Sequence, residues 1–340
     1  MHKLLTLLSV GTSLLLFNAC KKDDPATPSS FVTMALPAHF PAPIYPFEKY
    51  PLDPKKVELG RKLFYDNGLS ANNLVSCATC HKQEEAFADS GKALSEGING
   101  MVGLRNSTSL VNLAWKPLFM SDGGIFNLEL QPIAPLTDAH EMGSTLNDAL
   151  AYLNGQSIYV QEFREAFNQG SINSQQLLIS LAQFMATMVS WQSRYDLHYQ
   201  GETNVLSERE QQGLKLFKLH CSGCHKEPLT TDFSFRRNGL SVSDNDLGRM
   251  RITLHTADRG KFMVPSLRNI SLTGPYMHDG RIVNLEGVLN HYMHPENTEG
   301  IDELIGEGIL INEEEKVLII EFLMTLKDDE FLKARSFSRQ

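Results

Sequence analysis

The chain has 340 residues, 42% of them hydrophobic and 21% charged, with a formal net charge of −9. That length supports two domains, each with a core of its own. Acidic and basic residues are spread along the chain without basic clusters, which argues against nucleic acid as a partner and favours a basic or small neutral one.

The first residues, MHKLLTLLSVGTSLLLFNAC, combine a short basic start with an apolar run from Leu4 to Phe17. Such a run is too short for a permanent membrane span, so residues 1–19 read as a cleaved export signal. Cys20 stands where a lipoprotein signal places its acylated cysteine, although Phe17 and Asn18 are not the commonest residues before one. The expectation is an exported protein, periplasmic or at the cell surface, anchored to the outer membrane by lipid alone. The charged, Pro/Ser-rich KKDDPATPSS that follows reads as a flexible tether over residues 20–40.

From there the signals are helical. Asp53-Pro54 starts a helix through Gly60-Arg61-Lys62-Leu63-Phe64, and LVSCATCHKQ follows at Leu74–Gln83. Helical period recurs over Thr145–Leu153 and Ser174–Trp191, the second with Leu177, Leu181, Phe184, Met188 and Trp191 on one apolar face. The polar break Gly201–Ser207 reads as a domain boundary. The capping box Ser207-Glu208-Arg209-Glu210 then opens a helix through Gly213-Leu214-Lys215-Leu216-Phe217, followed by FKLHCSGCHKEP. Further helices begin at Asn284 and Asn312, and alternating strand patterns are scarce. The expected class is mainly α, with two cytochrome-c-like domains at residues 41–200 and 201–327 and a tail at 328–340.

Of the five cysteines, Cys20 is assigned to lipid and the other four form two C-x-x-C-H pentads, Cys77–His81 and Cys221–His225. Two such motifs in an exported chain fit covalent c-type haem: each thiol pair forms thioethers to the vinyl groups, and the adjacent histidine becomes an axial ligand. A zinc site does not demand a histidine directly after each thiol pair, and a thioredoxin-like site expects one pair, not two.

With VELGRKLFYD, CATCH, RNSTSLVN, the DGG…Q…EM segment, CSGCH, VPSLRN and GPYMHDGR in that order, the chain resembles the bacterial di-haem cytochrome c peroxidases and the related enzymes that mature methylamine dehydrogenase. The resemblance runs from about Pro51 to Leu326. It implies two covalent haems. The first, on Cys77, Cys80 and His81, would react with hydrogen peroxide. The second, on Cys221, Cys224 and His225, would take electrons from a small donor protein such as a cytochrome c.

The resemblance makes Glu141 the distal acid and Gln131 the residue that orients peroxide. Many relatives close the first haem with a histidine after the first motif, yet residues 82–139 contain no histidine, so that haem is expected to be open as isolated, with His140 the nearest residue able to close it. Relatives commonly carry Trp-Asp-Gly where this chain has Met120-Ser121-Asp122-Gly123, so electrons between the haems would run through bonded backbone or Trp115. Tyr292 aligns with the sixth ligand of the second haem, with Met293 as the alternative. Asn106, Thr273 and Pro275 match a calcium site, and Arg268 is a candidate partner for a haem propionate. The family pattern also leaves room for a homodimer. Two other functions compete: a maturation-type oxidase acting on a protein or small molecule through high-valent iron, and a non-catalytic di-haem electron carrier.

Overall fold

The computed structural model describes Met34 and residues 36–340. The export signal, Cys20 and most of the expected tether lie outside the described residues. Among the described residues the chain forms twelve α-helices and a single antiparallel ribbon, Phe235–Arg236 against Phe262–Met263. Mainly α is therefore the observed class, and no described helix is long and apolar enough to cross a membrane.

The helix starts follow the capping chemistry of the sequence. Asp53 accepts a hydrogen bond from the Lys55 backbone N–H at 2.8 Å and Pro54 fills the first turn of the helix Pro54–Phe64. Ser207 and Glu210 close a capping box on the helix Glu208–His220, and Asn312 with Glu315 does the same for Glu313–Met324. Thr145 caps Leu146–Asn154, and Asn284 caps Leu285–Met293. One expectation is corrected: the helix that starts at Ser174 stops at Ala186, short of Trp191. Asn112 explains the stop, because its side chain donates to Ser190 O at 3.1 Å and accepts from Ser190 N at 2.9 Å, drawing the chain off the helix axis.

Two helix pairs organise the packing. Pro54–Phe64 lies against Ser174–Ala186, and Glu208–His220 lies against Glu313–Met324. Each pair approaches through one glycine: a Cβ on Gly60 would sit 1.9 Å from Ser180 O, and one on Gly213 would sit 2.0 Å from Leu318 O. The first core gathers Val57, Leu63, Phe64, Phe87, Leu177 and Phe184, and the second Tyr195, Leu214, Phe217, Leu289, Ile319 and Phe322.

Both ends of the described chain cross between these cores. Residues 328–340 bring Phe331 and Phe337 into the first core, while Asp328 accepts from Ser190 Oγ and the backbone of Trp191 and Gln192 at 2.8–3.0 Å. At the other end, His39 Nε2 meets buried Asp196 at 3.1 Å and Phe40 packs beneath the Arg268 guanidinium.

The halves also share a second pattern. LVNLAWKPLFMSDGGI and LRNISLTGPYMHDGRI keep a constant offset, and both contain a left-handed Asn (Asn112 φ 57°, Asn269 φ 59°), a short 3-10 turn, a left-handed Met (Met120 φ 65°, Met277 φ 76°) and a left-handed Gly (Gly123 φ 68°, Gly280 φ 70°). Each closes with the same bridge, Phe119 to Ile125 and Tyr276 to Ile282.

Candidate haem and peroxide site

Ser76 caps a single helical turn, Cys77–Cys80, that ends at His81. Left-handed Ala86 and Phe87 (φ 54° and 58°) then curl the loop back, so that Phe87 O lies 2.8 Å from His81 Nδ1. The second motif repeats this arrangement. His225 follows the turn at Cys221, its N–H donating to Cys221 O at 2.9 Å, and its Nδ1 lies 3.1 Å from Thr230 O, where Thr230 has φ 55°. A carbonyl on Nδ1 sets the tautomer that leaves the Nε2 lone pair free for a metal. Burial lowers the pKa of both histidines, so each imidazole is held neutral, as an axial ligand must be.

No disulfide joins the four cysteines of the two motifs, and burial would push the Cys77 and Cys221 thiols up to about 12. No three His, Cys, Asp or Glu side chains converge as a metal cluster among the described residues. Thiols on one wall and a backbone-tethered imidazole beyond them fit an iron porphyrin bonded at its edge rather than a thiolate zinc centre.

Beside the second motif lies a cavity of about 420 Å³ lined by Cys221, Cys224, His225, Met277, Tyr292 and Arg268 among others. Tyr292 faces this cavity, as does Asn238, and burial lifts the Tyr292 phenol to about 12. Met293, by contrast, packs among the apolar residues of the second core. Arg268 is fully buried and holds Asp196 in a two-armed ion pair at 2.6 and 2.7 Å and Pro228 O at 2.7 Å, yet its Nε has no partner. An orphaned buried N–H on the wall of a cofactor-sized cavity is a fitting contact for a propionate oxygen.

Over the first motif, Glu141 follows the helix Ile133–Thr137, and its charge bears on both Cys77 and Cys80. Glu141 is exposed at the surface, yet partial desolvation by its surroundings, reinforced by Asp138, raises its pKa from the ordinary carboxylate value. His140 turns outward to Asp138, with Nδ1 3.0 Å from Oδ1, and its side chain is half exposed. Gln131 is half-buried at the end of the turn Leu128–Leu130, its Nε2 3.9 Å from Met120 Sδ. Asn106, Thr273 and Pro275 all line the 420 Å³ cavity, and the Asn106 amide donates to Lys92 O and Ala93 O at 3.1 and 3.0 Å.

Ser121 lines the same cavity, and its carbonyl accepts from Met263 N at 2.8 Å, a backbone link between the halves. Trp115 is buried with Nε1 donating to Pro41 O at 2.7 Å, edge-on to Phe40. Sequence reasoning did not reach Lys116, Asn238 or the Phe87 and Thr230 carbonyls. The constant offset between the two Asn…Met…Gly segments is the signal that leads to the first of these.

The profile of the di-haem cytochrome c peroxidase family matches residues 54–204. Methylamine utilization protein MauG of Methylorubrum extorquens is 36% identical over 82% of this chain and 79% of its own. Cytochrome c551 peroxidase of Nitrosomonas europaea is 31% identical over 85% of each. Among solved structures, a MauG-like protein associated with microbial copper homeostasis superposes with a TM-score of 0.81 at 31% identity, over 89% of this chain and 97% of that one. The chain belongs to the di-haem cytochrome c peroxidase family, which is a family of two-haem proteins.

Proposed function

We propose that the protein reduces hydrogen peroxide to water with electrons from a small redox protein such as a cytochrome c. Cys221, Cys224 and His225 would hold the haem that receives electrons, and Cys77, Cys80 and His81 the haem at which they would be used. The observation that carries this reading is the pairing of an acid over the first motif, Glu141, with the outward turn of His140, the nearest histidine able to close that face. Bound haem supplies the metal that takes up peroxide and the electrons that reduce it. The chain supplies the proton path: the Glu141 carboxylate takes a proton from the inner peroxide oxygen and delivers it to the outer one, while the Gln131 amide orients the pair.

Cys77, Cys80, Cys221 and Cys224 would hold the two haems through thioether bonds, His81 and His225 would bind the iron, and Tyr292 would supply a further ligand at the second haem. Arg268 Nε meets a propionate. Asn106, Thr273 and Pro275 supply oxygen ligands to one calcium ion, a hard cation suited to such a set. The two haem domains span 41–200 and 201–327, and the protein is exported with Cys20 as its lipid anchor.

A second reading, an oxidase of the maturation type, draws on Tyr292 as the cavity-facing residue in place of Met293, and on the likeness to MauG. Mixing the fully oxidised, haem-loaded protein with hydrogen peroxide, without donor or prior reduction, tests the leading reading by electron paramagnetic resonance and visible spectra. A high-spin first haem that reacts at once supports it. A low-spin pair that turns over only after one-electron reduction overturns the open site. Turnover of a reduced cytochrome donor separates peroxidase from oxidase.

A further inference from the structure

The 420 Å³ cavity is lined by three cations, Lys116, Arg236 and Arg268, and by no aspartate or glutamate. Two of the cations are answered from behind the wall. Arg236 meets Asp232 at 3.0 Å and Asp302 at 2.9 Å, and Arg268 meets Asp196. Lys116 forms no ion pair and no side-chain hydrogen bond among the described residues, and burial alone holds its ammonium down to about 8. Lys116 is half-buried, and a partly desolvated ammonium without a counter-charge is costly, a cost that an anionic group entering the cavity would remove.

The backbone around Lys116 is fixed. Its N–H donates to Leu113 O at 3.1 Å, and the neighbouring Ala114 O accepts from both Ile44 N and Tyr45 N at 2.9–3.0 Å. In the matching segment of the second half its counterpart is Thr273, so the cation is not a requirement of the repeated turn. Lys116 comes from the first half of the chain, whereas the thiols and imidazole on this cavity come from the second.

We propose that Lys116 is the counter-ion of a carboxylate on the haem held by Cys221, Cys224 and His225, and that its charge raises the reduction potential of that haem. This rests on the haem reading of the second motif. A fixed positive charge beside the cofactor favours the iron state with one positive charge fewer, so the reduced form gains. The first half of the chain would thereby tune the electron-entry haem of the second.

The test uses the haem-loaded full chain and its Lys116→Met, Lys116→Gln and Lys116→Arg variants. Covalent haem per chain is counted first, and fewer than two in the unaltered protein overturns the haem reading itself. With two haems present, optical redox titration is expected to show a lower midpoint for the second haem in Lys116→Met, little change for the first, and retention of the original value in Lys116→Arg. Should Lys116→Met fail to load, Lys116→Gln gives the same reading. An unchanged second midpoint in a fully loaded neutral variant overturns the proposal, as does an equal fall for both haems or an equal fall in Lys116→Arg.

Discussion

At the scale of single residues, the site depends on groups whose protonation is set by burial. Although Glu141 is exposed at the surface, its pKa is raised, first by desolvation from its surroundings and then by Asp138. To accept a proton it must be ionised, so peroxide turnover is expected to fall as the pH drops through that raised pKa, giving an acid limb above the ordinary range. In Glu141→Gln turnover should fall by about 10²–10⁴-fold and the limb should vanish, with haem content unchanged. Steady-state rates across pH check both. Tyr292→Phe keeps the ring but lacks the phenol oxygen, so if Tyr292 ligates the second haem as proposed, that haem should gain a high-spin signature in its visible spectrum. The two C-x-x-C-H pentads were legible because covalent haem chemistry, where it operates, demands contiguous side chains. The carbonyls of Phe87 and Thr230 were not, because any residue supplies a carbonyl and only the left-handed turns aim it.

At the scale of elements, two helix pairs meet through glycines whose place no bulkier residue can take. Gly60→Ala would drive a methyl group into Ser180 O, and Gly213→Ala into Leu318 O. Each is expected to cost about 1–3 kcal/mol, read as a lowered denaturant midpoint at unchanged slope. Helix starts were readable because Asp53, Thr145, Ser207, Asn284 and Asn312 act on backbone within the same turn. The helix end at Ala186 was not, because Asn112, far away in sequence, supplies the competing bonds.

At the scale of the whole molecule, the chain ends lock the halves together. Phe331→Ala is expected to cost about 3–5 kcal/mol, because it empties a site in the first core that only the end of the chain fills. Chemical denaturation of the full chain checks it. Asp196 joins His39, Arg268 and the cap of Arg194–Tyr199; although its burial raises the pKa, the Arg268 bonds and charge prevail and hold it below the usual value. Its contribution is therefore complete above the unfolded aspartate pKa and lost as pH falls through the depressed one. Asp196→Asn should cost about 3–5 kcal/mol near neutral pH by leaving Arg268 buried and unpaired, and should lack that acid-dependent loss. What the sequence alone determined was whatever short-range chemistry encodes: two C-x-x-C-H motifs, the helix caps, the mainly α class and a histidine-free stretch after the first motif. Only the tertiary structure decided that Tyr292 rather than Met293 faces the cavity, that His140 turns outward to Asp138, that Arg268 is tied to Asp196 and that Lys116 has no partner among the described residues. Each of these depends on which side chains distant parts of the chain bring within a few ångströms, and no local pattern carries that information.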